Sequence, residues 1–237
     1  MFVLGIETAT VVAGVAVVND DKVLAEEFVN NKLNHSQNLM PMISRVMDAA
    51  GISPKELGGI AVSNGPGSFT GLRIGLAAAK SMAQVLQLPL VGVPTLDALA
   101  YNMQGQGEIV CPILDARKNQ VYTAIYQVGS SLELLTDYLA IPVTELIDKL
   151  KQLPGKITLV GDGVPVFGQQ IREAMPQQIE IAPPINCMPR GSSVGMLGLK
   201  QLQAGGGHDW LYLEPTYVRA SEAEVTWAQK QAREGNQ

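Results

Sequence analysis

Asn64-Gly65-Pro66-Gly67-Ser68-Phe69-Thr70-Gly71-Leu72-Arg73-Ile74-Gly75 is the stretch on which the reading of this chain turns. A strand-like run, residues 59–63, leads into it, and an Ala-rich helical run follows to residue 86. Its glycines let the backbone take positive φ angles and come close to a neighbour. Ser68 or Thr70 can cap the helix behind, which leaves its first amides pointing at the loop. Such a loop can hold a phosphate, but this one has neither the Lys-Ser/Thr ending of a Walker A loop nor the dinucleotide glycine spacing. Gly71, Gly75 and Ala79 recur every four residues, so one face of the helix is small enough for another helix to approach closely. Packing inside the chain's own fold would use the same face equally well.

Outward from that stretch, strand, turn and helix signals repeat in order. Residues 3–6, 11–18 and 23–29 read as a three-strand meander with a turn at Asn19-Asp20-Asp21. Residues 36–50 keep helical spacing through Leu39, Ile43, Val46, Met47 and Ala50, and Pro41 predicts a late start or a bend. Ser53-Pro54-Lys55-Glu56 predicts a short capped helix. A strand at 89–93 and a helix at 96–103 capped by Thr95 close the first half. Gln104-Gly105-Gln106-Gly107 reads as a linker. Beyond it come strands at 109–114, 121–128 and 132–141, and a helix at 144–153. A strand at 157–160 ends in Gly161-Asp162-Gly163; a helix at 166–175 and a strand at 179–181 come next. A last helix, capped by Ser192 or Ser193, runs to about residue 204. Meander strands are antiparallel and helix-joined strands parallel, so each half predicts a mixed sheet flanked by helices, a duplicated α/β unit. The expected division is an N-terminal lobe over 1–103, a C-terminal lobe over 108–220, and a helix-forming segment over 221–237. Glu7 and Asp115 end the first strand of each half and are expected to face the cleft between lobes.

The 237 residues are 46% apolar and 16% charged, which describes a globular chain rather than a disordered one. A net charge of −5 leaves no broad basic surface for a nucleic-acid backbone. Cys111 and Cys187 form neither a disulfide framework nor a CxxC pair, which fits a reducing compartment. Residues 1–6 are too short for a signal core, and no apolar run reaches membrane-spanning length. A cytoplasmic protein without a membrane partner is expected.

Leu4-Gly5-Ile6-Glu7-Thr8, His35-Ser36, the run Gly65–Gly75 and Pro215-Thr216-Tyr217-Val218-Arg219 resemble the TsaB family, formerly YeaZ, across nearly the whole chain. These are glycoprotease-like proteins of tRNA threonylcarbamoyladenosine synthesis. The resemblance implies the actin-like ATPase fold shared by sugar kinases, heat-shock proteins and actin. It implies no activity of the chain's own and a paralogous partner, TsaD. Together with the ATPase TsaE, TsaD would transfer threonylcarbamoyl to the adenosine beside the anticodon of ANN-decoding tRNAs. It further implies that the chain meets tRNA only through that complex, and that it dimerises, with itself or with TsaD, through helices of the N-terminal lobe.

Rival classes demand residues that this chain lacks. Metal-holding relatives need two His four apart on one helix face; His35 and His208 each stand alone, so no metal is expected. An actin-like ATPase or kinase, the alternative reading, needs glycine in its first hairpin, where this chain has Glu7-Thr8-Ala9-Thr10. In the second half, Asp115-Ala116-Arg117 sets an arginine at the matching phosphate turn. A degenerate cleft without cofactor is therefore expected, with Glu7, Thr8, Thr10, Ser68 and Asp115 as its weak candidates for nucleotide contact. Cys111, beside Pro112 in an apolar strand, is expected to be buried and inert. The remaining candidate is a partner interface of Leu39, Met40, Ile43 and Met47 on the first helix with Gly71, Leu72, Gly75, Leu76, Ala79 and Met82 on the second. Paired with their equivalents, they would form a four-helix contact.

Overall fold

The computed structural model describes residues 1–30, 35–106, 108–207 and 209–219. The first lobe opens with the meander β1 (Phe2–Glu7), β2 (Ala13–Val18) and β3 (Val23–Val29). After α1 (His35–Ala50) come β4 (Leu57–Gly65), α2 (Phe69–Leu86), β5 (Leu90–Pro94) and α3 (Thr95–Tyr101). The second lobe contains β6 (Glu108–Asp115), β7 (Gln120–Thr123), β8 (Tyr126–Val128), β9 (Leu132–Leu134), β10 (Leu139–Pro142) and α4 (Val143–Leu150). It continues through β11 (Ile157–Val160), α5 (Val164–Ala174), β12 (Ile179–Ile181) and α6 (Gly191–Gln203). Spatial order in the first sheet is β3-β2-β1-β4-β5, and the second repeats it as β10-β7-β6-β11-β12. In both, the meander is antiparallel and the two strands reached through helices are parallel. This is the actin-like ATPase fold in two copies.

Several sequence expectations are corrected. The strand expected over 121–128 is two: β7 pairs with residues 113–115 of β6, and β8 with residues 108–110. Between them Pro112 has no amide to continue the ladder, and its carbonyl accepts instead from the Thr123 hydroxyl at 2.8 Å. The strand expected over 132–141 divides to match, β9 pairing with β8 and β10 with β7. α1 begins at His35 and runs through Pro41, which is exposed, where water can serve the carbonyl that loses its helical donor. Thr95 lies inside α3 rather than capping it, and its buried hydroxyl has no partner among the described residues. Nor do Ser192 and Ser193 cap α6; their hydroxyls bond to Glu26 and Asn102. Residues 104–106, read as a linker, are tied to the second lobe: Gly105 N–H donates to Gly129 O at 3.0 Å and Gln104 Nε2 to Ser130 O at 2.8 Å.

Packing of the two closing helices crosses the expected division. α1 and α2 cover the outer face of the first sheet, and α4 and α5 that of the second. The inner face of the first sheet (Val3, Ala16, Val18, Ala61, Val91) is covered by Val194 and Leu199 of α6. The α3 residues Leu96, Leu99 and Ala100 pack instead on Val110, Leu114, Tyr126 and Val128 of the second lobe. An expectation of 108–220 as one lobe placed α6 with the second sheet; its packing is against the first. The contact is backbone to backbone, since a Cβ on Gly5 would meet the Gly191 carbonyl and the Gly195 backbone. Each crossing is held by a carboxylate. Asp97 of α3 accepts from the Tyr126 and Tyr138 hydroxyls at 2.7 and 2.8 Å. Glu26 of β3 accepts from Arg190 Nη2 at 2.7 Å and from the Ser192 hydroxyl at 2.7 Å.

Candidate functional site

Glu7 is the last residue of β1 and is fully buried. Its Oε1 accepts from the Ala9 amide at 2.6 Å, whereas Oε2 has no partner among the described residues. Burial pushes its carboxyl up to about 7, and the Asp162 carboxylate of the other lobe adds to the rise, against the Ser63 hydroxyl and the Ala9 amide. Asp162 is itself raised to about 6 by burial, against the Asp115 amide that donates to it and with a smaller rise from the Asp115 carboxylate. It accepts from the Asp115 amide at 3.1 Å, and Asp115 Oδ1 accepts from the Arg117 amide at 2.8 Å. Asp162 is thus within electrostatic reach of both Glu7 and Asp115. Sequence alone reads Gly161-Asp162-Gly163 as a turn or as a backbone approach to an adenine or ribose, and neither reading singles out the acid between the glycines. No three His, Cys, Asp or Glu side chains among the described residues are placed to hold a metal ion. His35 instead touches the cleft turn, its Nε2 lying 2.9 Å from Thr10 O. His208 and residues 220–237, which include the expected C-terminal helix, lie outside the described residues. Cys111 is buried beside Thr123, and burial pushes its thiol up to about 12.

The hydroxyls expected to meet a nucleotide are engaged within the chain. Thr8 Oγ1 donates to Gly71 O at 2.9 Å, and Thr10 Oγ1 accepts from the Val12 amide at 3.2 Å. Ser68 is the cap of α2, its Oγ accepting from the Gly71 amide at 3.3 Å while its own amide donates to Ala9 O at 2.6 Å. Thr70 lies in the first turn and is exposed. A Cβ at Gly67 or Gly71 would strike the carbonyl of Ala9 or Thr8, and one at Gly75 the Thr8 hydroxyl. The glycines therefore seat the loop and α2 on the β1–β2 turn. These residues do not fit a phosphate.

The Pro215–Arg219 motif is built onto the same loop. The Thr216 amide donates to Asn64 O at 2.6 Å, and Tyr217 stacks on Phe69 with ring centroids 5.2 Å apart. The Arg73 guanidinium lies 3.8 Å over the Phe69 ring, and its Nε donates to the Tyr217 hydroxyl at 3.3 Å. Farther along α2, Lys80 Nζ donates to Leu211 O at 3.4 Å. Residues 209–219 thus form a strap beside α2, and Arg219 ends it on the second lobe, donating to Ala116 O at 3.1 Å. Nothing in sequence spacing places residue 217 on residue 69.

The expected partner interface is corrected by burial. Leu39, Ile43, Met47, Leu72, Leu76 and Ala79 are core residues of the chain itself, and Gly71 and Gly75 back onto Thr8. Met40 is exposed at 51%, and Met82 is half-buried against the core. The two helices still present an outer face, about half a turn from the expected one. On α2 it is Thr70, Ala77, Ser81 and Val85, with Val85 80% exposed. On α1 it is Gln37, Met40, Pro41 and Ser44. The small residues facing outward are Ala77 and Ser81, four apart.

Fold and site together define a two-lobed actin-like protein whose glycine-rich loop and second helix are packed on the turn after its first strand. A hexokinase from Thermus thermophilus shares the fold alone, with a TM-score of 0.51 at 12% identity over 84% of this chain and 100% of that one. The chain matches the TsaD family, tRNA N6-adenosine threonylcarbamoyltransferase, over residues 22–227. It is 32% identical to the Bacillus subtilis tRNA threonylcarbamoyladenosine biosynthesis protein TsaB, over 98% of this chain and all of that one. YeaZ from Pseudomonas aeruginosa has a TM-score of 0.76 at 25% identity, covering 91% of this chain and 100% of that one. The chain belongs to the TsaB family, within the wider TsaD family.

Proposed function

We propose that this chain is a noncatalytic subunit of tRNA threonylcarbamoyladenosine synthesis that holds a TsaD paralogue in its working arrangement. TsaE joins the assembly, and tRNA is met through the complex. The observation that carries the reading is the filled turn: Thr8, Ser68 and Gly71 bond to one another where a catalytic actin-like protein would receive a phosphate. The same-fold partner is supported by the family match, because a chain that fits the TsaD family description shares the outer helices that would meet across a pseudo-two-fold axis. The pairing face is the outer surface of α1 and α2 rather than the inner face first expected. Among the described residues no helix is long and apolar enough to cross a membrane.

The test mixes this chain with TsaD and TsaE of the same organism and measures threonylcarbamoyl transfer to tRNA, with particle mass read by light scattering. Modification that depends on this chain, together with a TsaD complex that Ala77→Arg abolishes while the variant melts like the parent, is the expected result. Modification at full rate without this chain, or a magnesium-dependent ATPase of the isolated chain that Glu7→Ala removes, would overturn it.

A further inference from the structure

The outer face of α2 is electrically one-sided. Over its 18 residues the helix carries two cations, Arg73 and Lys80, and no carboxylate. They stand seven residues apart, two turns, so both lie along one flank of the exposed crest formed by Thr70, Ala77 and Ser81. The opposite flank, Ile74, Ala78 and Met82, is apolar and packs toward the core shared with α1. The strap runs on the cationic flank and holds both cations at the rim. Phe69 and Tyr217 support the Arg73 guanidinium, and the Leu211 carbonyl receives Lys80. A guanidinium braced on an aromatic ring keeps its outer donors aimed in one direction, which suits a carboxylate.

Symmetry then separates possible partners. A second copy of this chain, brought up about a two-fold axis, presents the same pair of cations, no carboxylate from α2 and a single one, Asp48, from the outer face of α1. A same-fold paralogue with Asp or Glu on its corresponding helix meets complementary charge beside the same small-residue crest.

We infer that Arg73 and Lys80, held by the strap, select a same-fold partner whose pairing helix carries carboxylates over a second copy of this chain. The inference rests on the pairing face proposed above and adds the rule by which that face chooses. The crest supplies contact area, whereas the cationic flank makes the wrong pairing repulsive.

The experiment measures the affinity of the full-length chain for TsaD, and its self-association, at low and high salt. The variants are Lys80→Glu, Arg73→Gln and Arg73→Glu/Lys80→Glu, with Ala77→Arg as control. Lys80→Glu leaves the Phe69–Tyr217 stack in place, and melting curves check the folding of all four. The expected result is a loss of at least ten-fold in affinity for TsaD with the double variant, shrinking as salt rises. A mixture of the double variant with the parent chain should associate more tightly than the parent with itself. An affinity for TsaD unchanged by all three flank variants, while Ala77→Arg abolishes binding, overturns the charge rule and leaves the pairing face standing. Unchanged binding with Ala77→Arg as well overturns the pairing face and the rule with it.

Discussion

The two lobes place an acid at the same point of the same strand order and then treat it in opposite ways. Glu7 of the first lobe is sealed, with Thr8 and Thr10 buried beside it under the glycine-rich loop. Asp115 of the second lobe is exposed, and its turn continues through Arg117, Lys118 and Asn119 at φ of 64°, 54° and 59°. The cause lies in the loop and helix attached to the fourth strand of each sheet. After β4, Gly67 and Gly71 let the chain and an 18-residue helix settle on the first turn. After β11 the loop Gly161-Asp162-Gly163 settles on Ile113 and the Asp115 amide, and an 11-residue helix follows, while Asp115 and residues 117–119 of the second turn stay exposed. Identical topology preserves the position of a residue without preserving its chemistry. In this chain the turn after the first strand of one lobe is packing, and its counterpart in the other is surface.

The comparison can be broken most directly at the buried face of α2. Ala79→Arg places an unpaired cation in a core position of no exposure, at a cost of several kcal/mol, and is expected to abolish the cooperative melt. A folded variant that merely fails to associate would return this face to the surface. Next in size is Glu7→Gln. Folding raises this carboxyl from 4.5 to about 7, so between those values the folded chain keeps a proton that the unfolded chain releases. Stability from this group is full below pH 4.5 and falls as pH rises through 7. The glutamine variant should therefore be more stable at pH 8 by about 3 kcal/mol and flatter between pH 5 and 7, by urea titration. Equal slopes for both proteins would show that Glu7 is not sealed. The smallest effect sharpens the contrast between helices. Gly71→Ala drives a Cβ onto the Thr8 carbonyl and should cost about 2 kcal/mol, whereas Gly168→Ala in α5 meets only the Val164 and Ile181 side chains and should stay within about 1 kcal/mol.

Strand order and helix order are legible in the sequence because they depend on local periodicity and turn chemistry, which a sequence carries directly. Pro112 visibly breaks its own strand, but its effect on the partner strand, the division into β7 and β8, is a pairing outcome that one strand alone does not reveal. The small stripe Gly71, Gly75, Ala79 is legible as a close-packing face. Which neighbour it packs on is not, because Thr8 lies 63 residues from Gly71. Glu7 and Asp115 are found from their place at strand ends. Gly161-Asp162-Gly163 is legible as a strand-end turn, but the burial of Asp162 and its effect on Glu7 are not, and the bond between Thr216 and Asn64 joins residues far apart in sequence.

The exchange of α3 and α6 between sheets has a consequence for how the chain is made. Val3, Ala16, Val18, Ala61 and Val91 keep a bare apolar face until Val194 and Leu199 arrive. During synthesis the first lobe emerges from the ribosome whole in sequence yet open on one side, and it cannot close until nearly all of the second lobe has been translated. Cutting the chain near residues 104–106 would leave each piece holding the helix that the other needs. The two lobes are separate in appearance and joint in birth.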